Sequence, residues 1–224
     1  MEKYRKRNKT NIYIMMGLSI QQGSFLVKIA RKAVEEYLKN ERIIKLTQID
    51  PIYKIKRGVF TTIEEYKISN GMVNKELRGC IGFPYPSEEL INLTIKSAIL
   101  AATEDPRFPP LEYDELEKVV FELSILTEPK LLDVDKKKLP SMIKIGRDGL
   151  IIERGLMSGL LLPQVAVENE WDAETFLCNA CLKAGLTPDA WLLKGTKVYI
   201  FQAEIFAELE PKGRIIKRNL YRNE

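Results

Sequence analysis

The sequence contains no histidine. That absence removes Ser-His-Asp and Cys-His catalysis, histidine-ligated zinc, haem held through histidine and a histidine pH switch. Any proton transfer falls to carboxylates, Cys, Lys or Tyr. Cysteine is scarce: Cys80, Cys178 and Cys181 are the three in 224 residues. An odd number at this density excludes a disulfide framework, and a reducing, cytoplasmic setting is expected. No apolar run approaches the length of a membrane span, so no membrane partner is expected. Residues 1–18 have the basic-then-apolar order of an export signal, yet residues 21–24 offer no small-x-small cleavage site, and export is not expected.

Excess charge is also missing from most of the chain. The formal net charge is +4, and residues 1–15 carry all of it, with Lys3, Arg5, Lys6, Arg7 and Lys9 against Glu2 alone. Residues 16–224 are formally neutral, which argues against a basic nucleic-acid footprint on the folded body. The expected organisation is a basic N-terminal extension, 1–15, and a single domain, 16–224. With 45% hydrophobic residues that domain can bury a large core, as one body or two joined lobes.

From Ser19 to Asn40 apolar residues recur at helical spacing, with Lys28, Arg31, Lys32, Glu35, Glu36 and Lys39 on the opposite, solvated face. Strand-forming residues 59–63 and 66–68, a turn at Ser69-Asn70-Gly71 and a strand entering residues 77–81 predict a hairpin. Ser87 is positioned to cap a helix reaching Ala102. Residues 105–111, with three prolines, form a stiff loop around Asp105, Arg107 and Phe108. Residues 119–126 alternate as a strand with one face in the core. The flanks of Gly146-Arg147-Asp148-Gly149 are β-branched, so it reads as a hairpin turn at Asp148-Gly149 rather than the nucleic-acid clamp of KH-type domains. Residues 155–159 read as a flexible link. Pro163 begins a helix with Gln164 and Glu168 one turn apart, Asp172 caps another that Gly185 ends, and residues 197–205 form a final strand.

Residues 77–86, Leu-Arg-Gly-Cys-Ile-Gly-Phe-Pro-Tyr-Pro, put a cation, a thiol and two glycines into a strand. Alternation sends Arg78, Cys80 and Gly82 to one face and Leu77, Gly79, Ile81 and Phe83 to the core. Glycines flanking a strand cysteine mark a bulge or the close approach of another backbone or a ligand. Arg78 beside Cys80 would favour thiolate and hence a nucleophile. The alternative is a small apolar filler next to an arginine paired with Asp105 or Glu168. Cys178 and Cys181 match C-x-x-C but lie mid-helix, away from the helix N-terminus that activates a redox thiol, and are read as buried structural residues. No metal site and no cofactor are expected.

Taken with residues 105–111, Leu162-Pro163-Gln164-Val165 and residues 181–186, the hexapeptide Leu-Arg-Gly-Cys-Ile-Gly at 77–82 closely resembles the AMMECR domain family. The similarity runs from about Gly58 to Phe206. It implies an α+β fold, an antiparallel β-sheet with flanking helices in two unequal lobes around a cleft. It further implies an accessory role in an RNA- or protein-modification pathway, with Memo-type and radical SAM proteins as candidate partners, and carries over no catalytic residue. The leading expectation is a cytosolic binding protein whose cleft is walled by residues 77–86, 105–111 and 162–168. There Arg78 and Arg107 would hold an anionic ligand or protein partner, and Gly79 and Gly82 would admit it closely, with Asp105, Phe108, Gln164 and Glu168 alongside. The alternatives are a thiol-dependent enzyme, with Cys80 as nucleophile and Glu168 or Asp105 as proton acceptor, and RNA binding through the basic termini.

Overall fold

The computed structural model describes residues 17–220. The basic extension assigned to residues 1–15, and with it the N-terminal half of the RNA-binding alternative, lies outside them. The described chain is an α+β protein of antiparallel strands with flanking helices. It divides into two compact units, one of residues up to 125 with 204–218, the other of residues 126–203 with those from 219 on.

The first unit opens with helix α1 (Ile20–Asn40). Ser19 and Gln22 close it with a reciprocal capping box, and Glu41, at φ 53°, ends it in the left-handed region. Its stripe of Leu26, Val27, Ile29, Ala30, Ala33 and Val34 is buried. Arg31 departs from the expected solvated face. It is 7% exposed and pairs with Glu208. Its guanidinium also donates to the carbonyls of Leu116 (2.9 Å) and Val119 (2.7 Å) and lies 4.6 Å from the Phe121 ring centroid. A carboxylate, two carbonyls and an aromatic face replace the water it gave up.

Strands β1 (Val59–Ser69) and β2 (Met72–Phe83) form the expected hairpin. Both turn residues, Asn70 and Gly71, have positive φ (53° and 74°), as a two-residue type I′ turn requires. Next, α2 (Leu90–Thr103) starts at Glu89 rather than Ser87, and the Leu90 N–H donates to the Ile55 carbonyl at 2.8 Å instead of to a capping side chain. Strand β3 (Val119–Leu126) pairs with β1. It is buried on both faces, not one, and Glu122 tolerates this because Arg218 neutralises it. The core joins α1, α2, β1 and β3 through Leu26, Val34, Ile63, Leu93, Phe121 and Leu123.

Strands β4 (Lys130–Leu131), β5 (Asp148–Arg154) and β6 (Met157–Leu161) follow, with the short helices α3 (Leu139–Met142), α4 (Pro163–Glu168) and the longer α5 (Ala173–Lys183). Strand β7 (Lys197–Glu208) contributes residues up to Ala203 to the second unit and the rest to the first, where it pairs with β8 (Ile215–Arg218). In the second unit β5 pairs with β6 and β7, and β4 with β7. Asp148 and Gly149 are not a hairpin turn. They open β5, where Asp148 is fully buried and accepts from the Lys144 N–H (2.9 Å) and the Arg147 Nε–H (2.8 Å). The hairpin turn lies at Gly155-Leu156, and residues 157–159 are strand, not a link. A Cβ on Gly159 would sit 2.4 Å from the Ala184 nitrogen, so only glycine lets β6 approach the end of α5. Phe176, Leu177, Ala180 and Cys181 of α5 pack against Leu150, Ile152, Trp191 and Val198.

Candidate functional site

The hexapeptide lies on β2, the edge strand of its sheet. Gly79 pairs with Ile63 and Leu77 with Glu64, so Arg78 is the extra residue of a β-bulge. The bulge breaks the alternation: Ile81 and Phe83 pack on the core as expected, but Leu77 is 40% exposed. Both glycines serve close packing within the protein. A Cβ on Gly79 would meet the Ala101 carbonyl oxygen of α2 at 2.0 Å, and one on Gly82 would meet the Phe60 ring at 2.3 Å.

An edge strand presents unpaired N–H groups. The Cys80 N–H is taken by Asp105 Oδ2 at 2.8 Å. Asp105, nearly buried, also accepts from the Arg107 N–H (3.1 Å), Nε–H (2.9 Å) and Nη2–H (2.7 Å). Arg107's bonds bring the Asp105 carboxyl down to about 2, against the opposing effect of burial. The same pairing raises Arg107. Arg107 keeps its side chain 47% exposed, with its guanidinium carbon 5.5 Å from the Phe108 ring centroid.

Arg78 closes a second clamp. Its Nε–H and Nη2–H donate to the two carboxylate oxygens of Glu115 at 2.9 and 3.0 Å, and it also donates to the carbonyls of Pro109 (2.8 Å) and Pro110 (3.3 Å). Burial, the largest single influence, would raise Glu115, but the Arg78 hydrogen bond, the Glu112 N–H and the charges of Arg78 and Lys118 together outweigh it and leave the carboxyl below the usual range. The partner of Arg78 is thus neither Asp105 nor Glu168. Glu115 is absent from the candidates that the sequence suggests. Its one local signal is the Glu112-x-x-Glu115 box around the turn Tyr113–Glu117, where Glu115 accepts the Glu112 N–H at 2.8 Å.

Cys80 stands opposite Thr62, which stands opposite Glu122, in a row across β2, β1 and β3. The Thr62 hydroxyl donates to Cys80 Sγ at 3.4 Å. Burial pushes the Cys80 thiol up, and Thr62 and Arg107 offset this only in part while Asp105 and Glu122 add to it. Burial thus favours the Cys80 thiol over its thiolate, while the neighbouring Asp105 carboxyl is held well below its usual range and is a weak base.

Thus Cys80, Asp105, Arg107 and Phe108 come together, Arg78 fastens the same loop, Gly79 packs against α2 behind the strand, and Gly82 packs against Phe60 on the neighbouring strand. Gln164, buried, and Glu168, exposed, belong to α4 of the second unit. Of the other cysteines, Cys181 is fully buried and Cys178 half-buried. Burial raises Cys181 to about 11. Among the described residues no group of three or more Cys, Asp or Glu is arranged to hold a metal ion, and no helix is long and apolar enough to cross a membrane.

An α+β fold whose edge strand is latched to a proline-rich loop defines the class of this protein. The AMMECR1 family profile matches residues 27–206, and the chain belongs to that family. It is 53% identical over 207 residues to a protein of Thermofilum pendens, covering 91% of this chain and 97% of that one. It is 48% identical to Protein MJ0810 of Methanocaldococcus jannaschii, covering 91% and 98%. Its fold is that of the crystal structure of uncharacterized protein PH0010 from Pyrococcus horikoshii, with a TM-score of 0.84, 50% identity and coverage of 88% and 97%.

Proposed function

We propose that the chain is a binding or accessory protein that takes an anionic group of its partner on Arg107. The observation that carries this reading is the division of the Arg107 guanidinium. Its Nε and one Nη2 hydrogen are spent on Asp105, while the side chain remains 47% exposed above Phe108. The Nη1 edge is left to a carboxylate or phosphate, and the ring to an apolar neighbour. Pro106, Pro109 and Pro110, with the Arg78 clamp, hold the loop before any partner arrives, so little conformational entropy is lost on docking. In this reading Arg78 builds the site and Arg107 contacts the partner.

The thiol-enzyme alternative draws less support, because burial raises Cys80 and its sulfur's bonded neighbour is the Thr62 hydroxyl, not a base. Phenyl phosphate, which joins an anion to a ring, tests the binding reading by NMR of the arginine Nε–Hε groups. A saturable shift at Arg107 is expected with phenyl phosphate and not with phenol, and it should vanish in Arg107→Gln. No shift at millimolar phenyl phosphate, or one that survives Arg107→Gln, overturns the reading.

A further inference from the structure

The turn between β5 and β6 places Leu156 at a tip. Gly155 alone of the two turn residues has positive φ (60°), as in a type II′ turn, whose glycine comes first. Leu156 is fully exposed. Leucine gains nothing there from the fold, and small polar residues are the usual occupants of tight turns.

Other apolar side chains gather at this end of the second unit. Arg154 pairs across the hairpin with Met157. Its Nη1 donates to the Lys194 carbonyl and the Thr196 hydroxyl, both at 2.9 Å, which fastens the turn to the segment carrying Leu192 and Leu193. Gly159 brings β6 against Lys183 and Ala184, next to Leu182. Leu156, Met157, Leu182, Leu192 and Leu193 are all exposed. Lone exposed leucines need no explanation, whereas a cluster of them marks an interaction surface.

The charges of the same end are mainly positive. Arg154, Lys183, Lys194 and Lys197 stand against Glu153, which is hydrogen-bonded to Tyr199, and Asp189. An exposed apolar tip with cations on the neighbouring segments matches a flat surface with an apolar interior and anionic headgroups.

We infer that this end of the second unit docks on an anionic lipid bilayer, Leu156 entering below the headgroups while Arg154, Lys183, Lys194 and Lys197 meet lipid phosphates. The expectation of no membrane partner rests on the lack of a spanning run, and a peripheral contact needs none. The Arg107 loop belongs to the first unit and shares no residue with this surface, so either reading can fail alone.

Flotation of the full chain with vesicles of phosphatidylcholine, with and without phosphatidylserine, tests the inference. The protein should float with the anionic vesicles and much less with the neutral ones. Leu156→Asp should lower partitioning about tenfold, since a leucine side chain is lost to the bilayer. Each of Lys183→Gln and Lys194→Gln should lower it about fivefold, with unchanged circular dichroism. Residues 1–15 stay in every variant and supply a constant basic background. Failure of the wild-type chain to float overturns the inference, as does equal flotation of Leu156→Asp, which would assign the binding to the basic extension.

Discussion

The Asp105 carboxylate accepts the Cys80 backbone N–H at 2.8 Å and, through the same oxygen, the Arg107 Nη2–H at 2.7 Å. One side chain thereby caps the edge of a sheet and positions the half-exposed cation of the neighbouring loop. The two most recognisable segments of the sequence, residues 77–82 and 105–111, are in this sense one structure. The strand supplies N–H groups and the Arg78 fork, and the loop supplies the carboxylate and the proline carbonyls that receive them. What the pair leaves open to solvent is the remaining edge of Arg107 and the ring beneath it.

Arg78→Lys keeps the charge and removes the fork. A lysine ammonium cannot reach both Glu115 oxygens and the carbonyls of Pro109 and Pro110 in one geometry. The Arg78 side chain is 13% exposed, so the lost charge-assisted bonds should cost about 2 kcal/mol. Urea unfolding checks the cost. Hydrogen exchange at Leu111, whose N–H donates to the Ala102 carbonyl at 2.7 Å, should quicken as the loop loosens. Unchanged stability and exchange would mean that Arg78 is not the clamp.

The cysteine chemistry gives a second outcome. In a Cys178→Ala/Cys181→Ala background, Cys80 should react slowly with iodoacetamide at neutral pH. Its rate should rise only above the ordinary thiol range of about 8.5, because burial raises its pKa. Fast alkylation near neutrality would instead require a thiolate stabilised by Arg107, and would restore the nucleophile.

Much of this arrangement is legible in the order of the amino acids, and the illegible parts share a cause. Apolar spacing from Ser19 announces α1, and Asn70-Gly71 announces the β1–β2 turn, because helical periodicity and tight turns are patterns among residues a few positions apart. The glycines around Cys80 likewise signal a close approach, which proves to be that of Ala101 and Phe60. The exposure of Leu77 is hidden, since a bulge at Arg78 changes the face without changing the hydrophobic pattern. Partners far along the chain are hidden too. Glu115 lies 37 residues from Arg78, and Glu208 lies 177 from Arg31, so nothing local tells whether such an arginine is solvated or buried against a carboxylate. Asp148-Gly149 misleads for the converse reason. The pair has turn composition, but Asp148 is buried, paired with the partly exposed Arg147, and opens a strand.

The strongest pH dependence expected from the site belongs to Asp105. Its carboxyl titrates at about 2 in the folded chain against 3.8 for the ordinary group. A depressed folded pKa means that protons bind the unfolded chain first as pH falls. The stability from Asp105 is therefore complete above pH 3.8 and is lost on descending toward pH 2, and the shift corresponds to about 2 kcal/mol. Asp105→Asn leaves an oxygen that can still accept the Cys80 N–H but gives up the charge on Arg107. Unfolding free energies of wild type and Asp105→Asn should then differ by about 2 kcal/mol near neutrality, and the difference should close as pH drops from about 4 to about 2. The same variant should release Arg107 from its fixed orientation, so its Nε–Hε signal should broaden or move even at neutral pH. A stability difference that persists unchanged at the acid end of that range would show that Asp105 acts through its shape and not its charge, and that the latch between strand and loop is uncharged in origin.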